Sequence, residues 1–400
     1  MKHPQVHLQR GRHKRVQAGH PWVFSNEVRE LEGSTPEAGA LVEVLGADGR
    51  FLGAGLYHPG SLIAVRLLTR ERAPISLDSE FFADRIRVAQ ARRCRALGER
   101  QIAPPAAYRL CHGEADGLPG VVIDRYGDVL VTQIACLGLD QRKAHLFDAL
   151  EEVFSPAAIV ERNDTVWRDQ EGLPRQSGVA RGELPEALSF VEHDLTYQVD
   201  VLAGQKTGWF LDQRDHRLAV RPFAAGSRVL DLCCYEGGFT LNALAAGARS
   251  VDAVDASQAA LDRLAANAGR NGLTAGLETH CADVMDLATG GPPGGAPFEL
   301  IVLDPPSFTR SRKAVPRARR AYRKLNEAAL RWLAPGGVLA TASCSHHLYE
   351  DTFLQLLQEA AVLASRAARV LYRGFQPPDH PVLLAMPETR YLKFFVLQVD

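Results

Sequence analysis

Four short segments in the second half of the chain constrain its fold more than any other feature: RVLDLCC (228–234), SVDAVDAS (250–257), ELIVLDPP (299–306) and GVLATASC (337–344). Each is a nearly continuous apolar run of strand length that ends in a turn, and stretches with helical spacing lie between them. A strand that is apolar on both faces must be covered on both. Such strands alternating with helices predict a doubly wound parallel sheet from about residue 190 onward. In sheets of this kind, ligands bind beyond the carboxyl ends of the strands, where loops and helix N-termini converge. The residues that close each segment are therefore the first candidates for a site.

The earlier part of the chain has a different pattern. Residues 39–69 are short, apolar and punctuated by Asp48-Gly49 and Pro59-Gly60, which predicts a small β-barrel. Residues 76–97 have helical spacing, with Phe81, Phe82, Ile86, Val88 and Ala89 on the apolar side. Strands near 120–124 and 129–134, a helix near 140–153 and a strand near 158–161 predict a compact α+β middle domain. The expected fold is thus α/β, with a C-terminal Rossmann-like domain, an N-terminal β-barrel and a small α+β middle domain, bounded at 1–72, 73–188 and 189–400. At 400 residues and 46% hydrophobic content, each can have its own core. The tract at 290–297 (GGPPGGAP) predicts a surface loop.

No stretch reaches the roughly 18 apolar residues of a membrane span, and the start MKHPQVHLQRGRHKR lacks the apolar segment of a secretory signal, so the cytoplasm is the expected location. The seven cysteines include no CxxC pair, so neither a zinc site nor another metal is expected and the thiols should be free. A net charge of −1 argues against indiscriminate nucleic-acid binding, yet positive charge is concentrated in two places. Lys2, Arg10, Arg12, Lys14 and Arg15 precede the first acidic residue, Glu27. Arg310, Arg312, Lys313, Arg317, Arg319, Arg320, Arg323 and Lys324 run without a carboxylate. Each run is either a solvated face or a set of phosphate contacts.

The strand-closing residues suggest a nucleotide-like cofactor. Tyr235-Glu236-Gly237-Gly238 follows the first strand, and its glycines would let a ligand approach the backbone. Asp255-Ala256 lies about twenty residues further on, where a carboxylate can accept from ribose hydroxyls; taken alone, this also suits a nicotinamide cofactor. Asp283-Val284 follows the next strand and could bond an adenine amino group. Asp304-Pro305-Pro306-Ser307-Phe308 closes the fourth with a carboxylate and a stiff diproline, able to hold carbonyls toward a planar base. This order of motifs resembles class I AdoMet-dependent methyltransferases, since the turn reads C-Y-E-G-G-F rather than the G-x-G-x-x-G of nicotinamide enzymes.

Cys344 ends the strand after the glycine pair 336–337, in the same sheet as Asp304. The bland reading is a core thiol, because cysteine is often buried; delivery at the strand's active end favours chemistry. Carbon 5 of cytosine is a poor nucleophile, so methylation there needs a covalent step. A thiolate on carbon 6 supplies it, with Asp304 orienting the base and favouring protonation at N3.

Across nearly the whole chain, the sequence is similar to the bacterial 23S rRNA 5-methylcytosine methyltransferases of the RlmI type. HPWVFSN (20–26) resembles that family's PUA RNA-binding domain, EADGLPG (114–120) its middle domain, and KTGWFLDQR (206–214) the segment that closes over AdoMet; DHP (379–381) and YLK (391–393) match its C-terminal pattern. The resemblance implies Cys344 as nucleophile, Asp304 as base-orienting residue, and AdoMet contacts from Phe210, Asp212, Tyr235, Glu236, Gly237, Asp255, Ala256, Asp283, Val284 and Asp304. It places the substrate against Pro305, Pro306, Ser307, Phe308, Arg310, Arg312 and Lys313, with 23S rRNA as partner, and it suggests a homodimer. Many RNA cytosine-5 enzymes carry a second cysteine where this chain has Ser307, so the residue that removes the carbon 5 proton is unassigned. The basic run at 310–324 could hold phosphates beside a splayed-out cytosine, whereas His346 and His347 read as loop surface. The alternatives are an N-methyltransferase acting on guanine or adenine, since D-P-P-aromatic motifs also serve exocyclic amines, and a non-catalytic RNA-binding assembly factor.

Overall fold

Seven strands of the computed structural model carry out the rhythm of the second half. The structure describes residues 3–32, 35–98, 102–103, 106–309 and 312–400, without the side chain of Arg312. Two compact units divide the chain: Met1–Val191, Val199–Leu211 and Pro378–Thr389 form one, and Glu192–Gln198, Asp212–Pro377 and Arg390–Asp400 form the other. Residues 199–211 and 378–389, which the sequence boundaries put in the last domain, thus pack with the first unit.

In the second unit the strands are β1 (Arg228–Leu232), β2 (Ser250–Asp255), β3 (Leu277–Cys281), β4 (Phe298–Leu303), β5 (Leu333–Ser343), β6 (Ala368–Gly374) and β7 (Lys393–Val399). Their order in the sheet is β3-β2-β1-β4-β5-β7-β6. The first five run parallel, and β7 is antiparallel to both β5 and β6. The helices are α1 (Arg214–Val220), α2 (Gly238–Ala245), α3 (Gln258–Arg270), α4 (Val284–Gly290), α5 (Val315–Trp332) and α6 (Glu350–Leu363). Ala318, Tyr322, Leu325 and Ala329 recur every three or four residues and form the buried stripe of α5. With Phe353 and Leu356 of α6, Tyr322, Leu325 and Ala329 of this stripe pack on Ile301, Leu339 and Phe395 of the sheet. Leu232 pairs with both Val254 and Leu303, and Leu303 with Thr341, so the carboxyl ends of β1, β2, β4 and β5 are aligned.

In the first unit, Trp22–Phe24, Ile63–Thr69, Phe51–Tyr57, Leu41–Leu45, Gln5–Leu8 and Val28–Glu32 form a six-stranded sheet in that order. Gln176–Gly182, Ala158–Asn163, Val129–Ile134, Val121–Tyr126 and Ala107–His112 form a five-stranded one. The helix Ser79–Leu97 is capped by the Asp78 carboxylate on the Phe81 N–H. Its apolar face departs from the expected one, since Val88 is exposed and Arg93 is buried. A fork of two hydrogen bonds to Asp116, at 2.6 and 2.7 Å, compensates the buried guanidinium. Among the described residues, no helix is long and apolar enough to cross a membrane.

Candidate functional site

Between β1 and α2 the backbone reverses through Cys233, Tyr235 and Gly237, whose φ values are 65, 51 and 90°. At Gly237 a Cβ would meet Leu264 Cγ at 2.7 Å, and at Gly238 it would collide with Arg217 Nε. Protein atoms fill the space a side chain would need, so these glycines serve the turn and its packing. Tyr235 N–H donates to Asp255 Oδ2 at 2.9 Å, which ties the turn to the end of β2, and Ser257 N–H donates to Asp255 Oδ1 at 2.9 Å. Glu236 is fully buried and takes the Arg263 Nε at 2.5 Å. Ala256 follows Asp255 in the loop, while exposed Asp283 caps α4 through the Met285 N–H at 2.7 Å, with Val284 buried behind it.

Four carboxylates act together at this end of the sheet. Burial raises the Cys233 thiol well above its ordinary range, and Asp255, Asp304, Asp231 and Asp283 all add to the effect. Asp231 lies within β1, where burial, then the charges of Asp304 and Asp255, push its carboxyl up to about 7 against a hydrogen bond from Thr240. Thr240 Oγ1 donates to Oδ2 at 2.6 Å, while the buried Oδ1 has no hydrogen-bond partner. Such mutual repulsion is relieved by a cationic ligand.

Asp304 leaves β4 with its N–H on the Leu232 carbonyl at 3.3 Å, and Gln213 Nε2 donates to its Oδ2 at 2.8 Å. Cys344 leaves the adjacent β5 at the same edge. The two loops are joined: Ser307 Oγ and Ser345 Oγ lie 3.0 Å apart, and the Tyr322 hydroxyl is 3.0 Å from Ser345 Oγ. Phe308 packs edge-on to Tyr322 with ring centroids 4.9 Å apart, and Pro306 is exposed. Four of the other six cysteines are poor nucleophile candidates, since burial raises the thiols of Cys111, Cys136, Cys233 and Cys234.

The expected contacts at 210 and 212 fall in different units. Phe210 belongs to the first, with Lys206 Nζ 4.4 Å above its ring; Asp212 is buried in the second and accepts from the Tyr391 hydroxyl at 2.7 Å. Arg310 lies outside the described residues, as does the side chain of Arg312, and Lys313 is exposed. The basic run is carboxylate-free only in sequence: Arg319 and Arg323 reach Glu359 of α6 at 3.2 and 3.4 Å, and Lys324 donates to Thr289 Oγ1 at 2.7 Å. In the N-terminal run, Arg15 pairs with Glu27 at 2.9 Å while Arg10, Arg12 and Lys14 are exposed; Lys2 lies outside the described residues. His346 tilts against Tyr391, with ring centroids 5.4 Å apart. Donor atoms of Asp252, Glu278 and His280 lie within 4.8 Å of one another, but Arg228 Nη2 already holds the Asp252 carboxylate at 3.1 Å, which opposes a metal cation.

Gln213, His216, Asp231, Tyr322 and Lys393 are site neighbours that the motifs assign no role. Gln213 lies within KTGWFLDQR and Lys393 within YLK, but nothing in either string tells which side chain turns toward Asp304 or Cys344.

An open sheet in the order β3-β2-β1-β4-β5-β7-β6, with a turn clamped by Asp255 and an acidic carboxyl edge, defines an AdoMet-dependent methyltransferase. Residues 170–390 match the S-adenosylmethionine-dependent methyltransferase family and residues 6–70 a PUA-like domain. The chain is 40% identical over 396 residues to the ribosomal RNA large subunit methyltransferase I of Shewanella denitrificans, covering 98% of this chain and 99% of the relative. It is likewise 40% identical over 398 residues to the protein of that name from Klebsiella pneumoniae, covering 99% and 98%. A putative SAM-dependent methyltransferase from Streptococcus mutans shares the fold along 100% of both chains, with a TM-score of 0.83 at 22% identity. This chain belongs to the ribosomal RNA large subunit methyltransferase I family. The four-carboxylate edge, with a buried Asp231 oxygen lacking a partner, fits the sulfonium and ammonium charges of AdoMet.

Proposed function

We propose that this chain methylates carbon 5 of a cytosine in 23S ribosomal RNA through a covalent bond between Cys344 and carbon 6 of the base. Two things support ribosomal RNA as substrate: the full-length relatives carry large-subunit rRNA in their names, and the N-terminal domain is PUA-like. That substrate locates the reaction in the cytoplasm. The observation that carries the chemistry is the Ser307–Ser345 hydrogen bond, which couples the diproline loop to the loop bearing the thiol.

AdoMet, when bound, supplies an electrophilic methyl group. Tyr235, Glu236, Gly237, Asp255, Ala256, Asp283, Val284 and Asp212 would hold it. The thiolate of Cys344 attacks carbon 6, and the electron pair of the 5,6 double bond moves onto carbon 5. Asp304 holds the base at its N3 edge and favours the protonated form as the enamine develops. Pro305, Pro306, Ser307 and Phe308 would form the wall against the base, with Arg310, Arg312 and Lys313 on the adjoining phosphates. After methyl transfer a base takes the carbon 5 proton, the C–H electron pair re-forms the 5,6 double bond, and the carbon 6–sulfur bond breaks to release the thiolate.

Cys344→Ala tests the reading. Transfer to rRNA should be abolished while calorimetry shows AdoMet binding within a few-fold of wild type. Full transfer by that variant would refute the covalent route and favour methylation of an exocyclic amine.

A further inference from the structure

One buried amine beside Cys344 is not used by this chemistry. Lys393 opens β7 in register with Ser343, the residue before the thiol. Its Nζ donates to the carbonyl of Ser345, the residue after the thiol, at 2.7 Å, and to the carbonyl of Tyr391 at 2.7 Å. Cys344 is therefore bracketed by the two residues that Lys393 engages. At 3% exposure, an ammonium needs an anion close by. Glu350 favours the charge of Lys393, but its carboxylate is already held by Arg373 and Arg390. Cys344 is the group that favours the charged form most.

We propose that Lys393 is the counter-cation of Cys344, taking the thiol proton so that an ammonium faces the thiolate that attacks the pyrimidine. The Sγ–H bond breaks, an Nζ–H bond forms, and the pair stays neutral overall. The sulfur electron pair then makes the bond to carbon 6 and returns to sulfur when the methylated base leaves. Burial lowers the Lys393 amine to about 8, so proton exchange with a thiol is balanced near neutrality. The other titratable or charged groups around the pair are Asp304 after β4, Tyr322 on α5, His346 in the following loop, Glu350 at the start of α6 and Arg390 before β7. Of these, Arg390 alone carries a fixed positive charge, and it is paired with Glu350.

The inference rests on Cys344 being the nucleophile, and its test needs no RNA. Alkylation of Cys344 by iodoacetamide in the full chain is followed by peptide mass spectrometry from pH 6 to 10, for wild type, Lys393→Met and Lys393→Arg. The wild-type midpoint should fall below about 8.5, the ordinary thiol value. Lys393→Met should raise it by about one unit or more, slowing alkylation at pH 7 about tenfold, and Lys393→Arg should largely restore it. A wild-type midpoint at or above 8.5 overturns the pairing without any variant, as does an unchanged profile in a Lys393→Met protein that still binds AdoMet. Retained methyl transfer in Cys344→Ala would instead sink the nucleophile reading and leave the alkylation result standing.

Discussion

Gln213 is hydrogen-bonded at both ends of its amide, donating from Nε2 to Asp304 Oδ2 at 2.8 Å and accepting at Oε1 from His216 Nδ1 at 2.6 Å. His216 stacks on Phe394 with centroids 4.2 Å apart and planes within 5°. Burial lowers its pKa to about 3, so the ring is neutral and its Nδ1 proton fixes which way the amide points. The Asp304 carboxylate is thereby held by a donor whose orientation is predetermined. Gln213→Ala should lower the single-turnover rate of methyl transfer about ten- to hundredfold, the loss of one hydrogen bond to a charged group, with AdoMet affinity within a few-fold of wild type. Gln213→Glu should be worse, because it sets a like charge against Asp304. An unaltered rate in both variants would remove Gln213 from the chemistry.

Asp231 makes stability depend on pH in a direction unusual for a carboxylate. Its folded pKa of about 7 lies above the unfolded value, so between roughly pH 4 and 7 the folded state binds the extra proton. The stability this contributes is full below the unfolded pKa and is lost as pH rises through about 7. Asp231→Asn keeps an acceptor for Thr240 and cannot ionise. Without ligand, its unfolding free energy should gain on that of wild type as pH rises from 5 to 8, by on the order of a few kcal/mol at most, read as a rising melting temperature relative to wild type. AdoMet should bind wild type more tightly at pH 8 than at pH 6, and the variant should show a smaller change. Parallel melting curves for the two proteins across that range would disprove the shift.

What sequence could show and what it could not divides along physical lines. The strands β1, β2, β4 and β5 are buried on both faces, so their apolar runs stand out. The edge strand β6 is exposed at six of its seven positions and has no such signature. Gln5–Leu8 and Trp22–Phe24 are too short to show a period. Apolar spacing puts Val88 inside, yet it is exposed, while the charged Arg93 is buried on its Asp116 fork, a partner that lies 23 residues away. Asp255, Asp304 and Cys344 were legible because each closes a strand. The roles of Gln213 and Lys393 depend on contacts across 91 and 48 residues, respectively, which no local pattern encodes.

Gly237 should tolerate no side chain. It stands at a φ of 90°, and a methyl there would lie 2.7 Å from Leu264 Cγ on α3. Gly237→Ala combines a left-handed backbone with overpacking, a cost of about 1–3 kcal/mol. Because Tyr235 N–H in the same turn holds Asp255, AdoMet affinity should also fall. Denaturant unfolding and calorimetry measure the two effects, and a variant as stable as wild type would show that the turn relaxes.

The hydroxyl chain between the diproline loop and the Cys344 loop has a defined direction. Ser307 Oγ donates to the Thr309 carbonyl at 3.1 Å, so the bond between the serines is donated by Ser345, which in turn accepts from Tyr322. Ser345 is fully buried, and its removal leaves the Tyr322 hydroxyl with a lost acceptor and Ser307 with a lost donor. Ser345→Ala should cost about 1–2 kcal/mol of stability and slow methyl transfer about tenfold by freeing the Cys344 loop from the diproline loop. Ser307→Ala should slow transfer by a similar factor, and the double variant should be little slower than either single one, since both remove the same bond. If the two effects multiply in full, the serines act independently and the loops are coupled by other means.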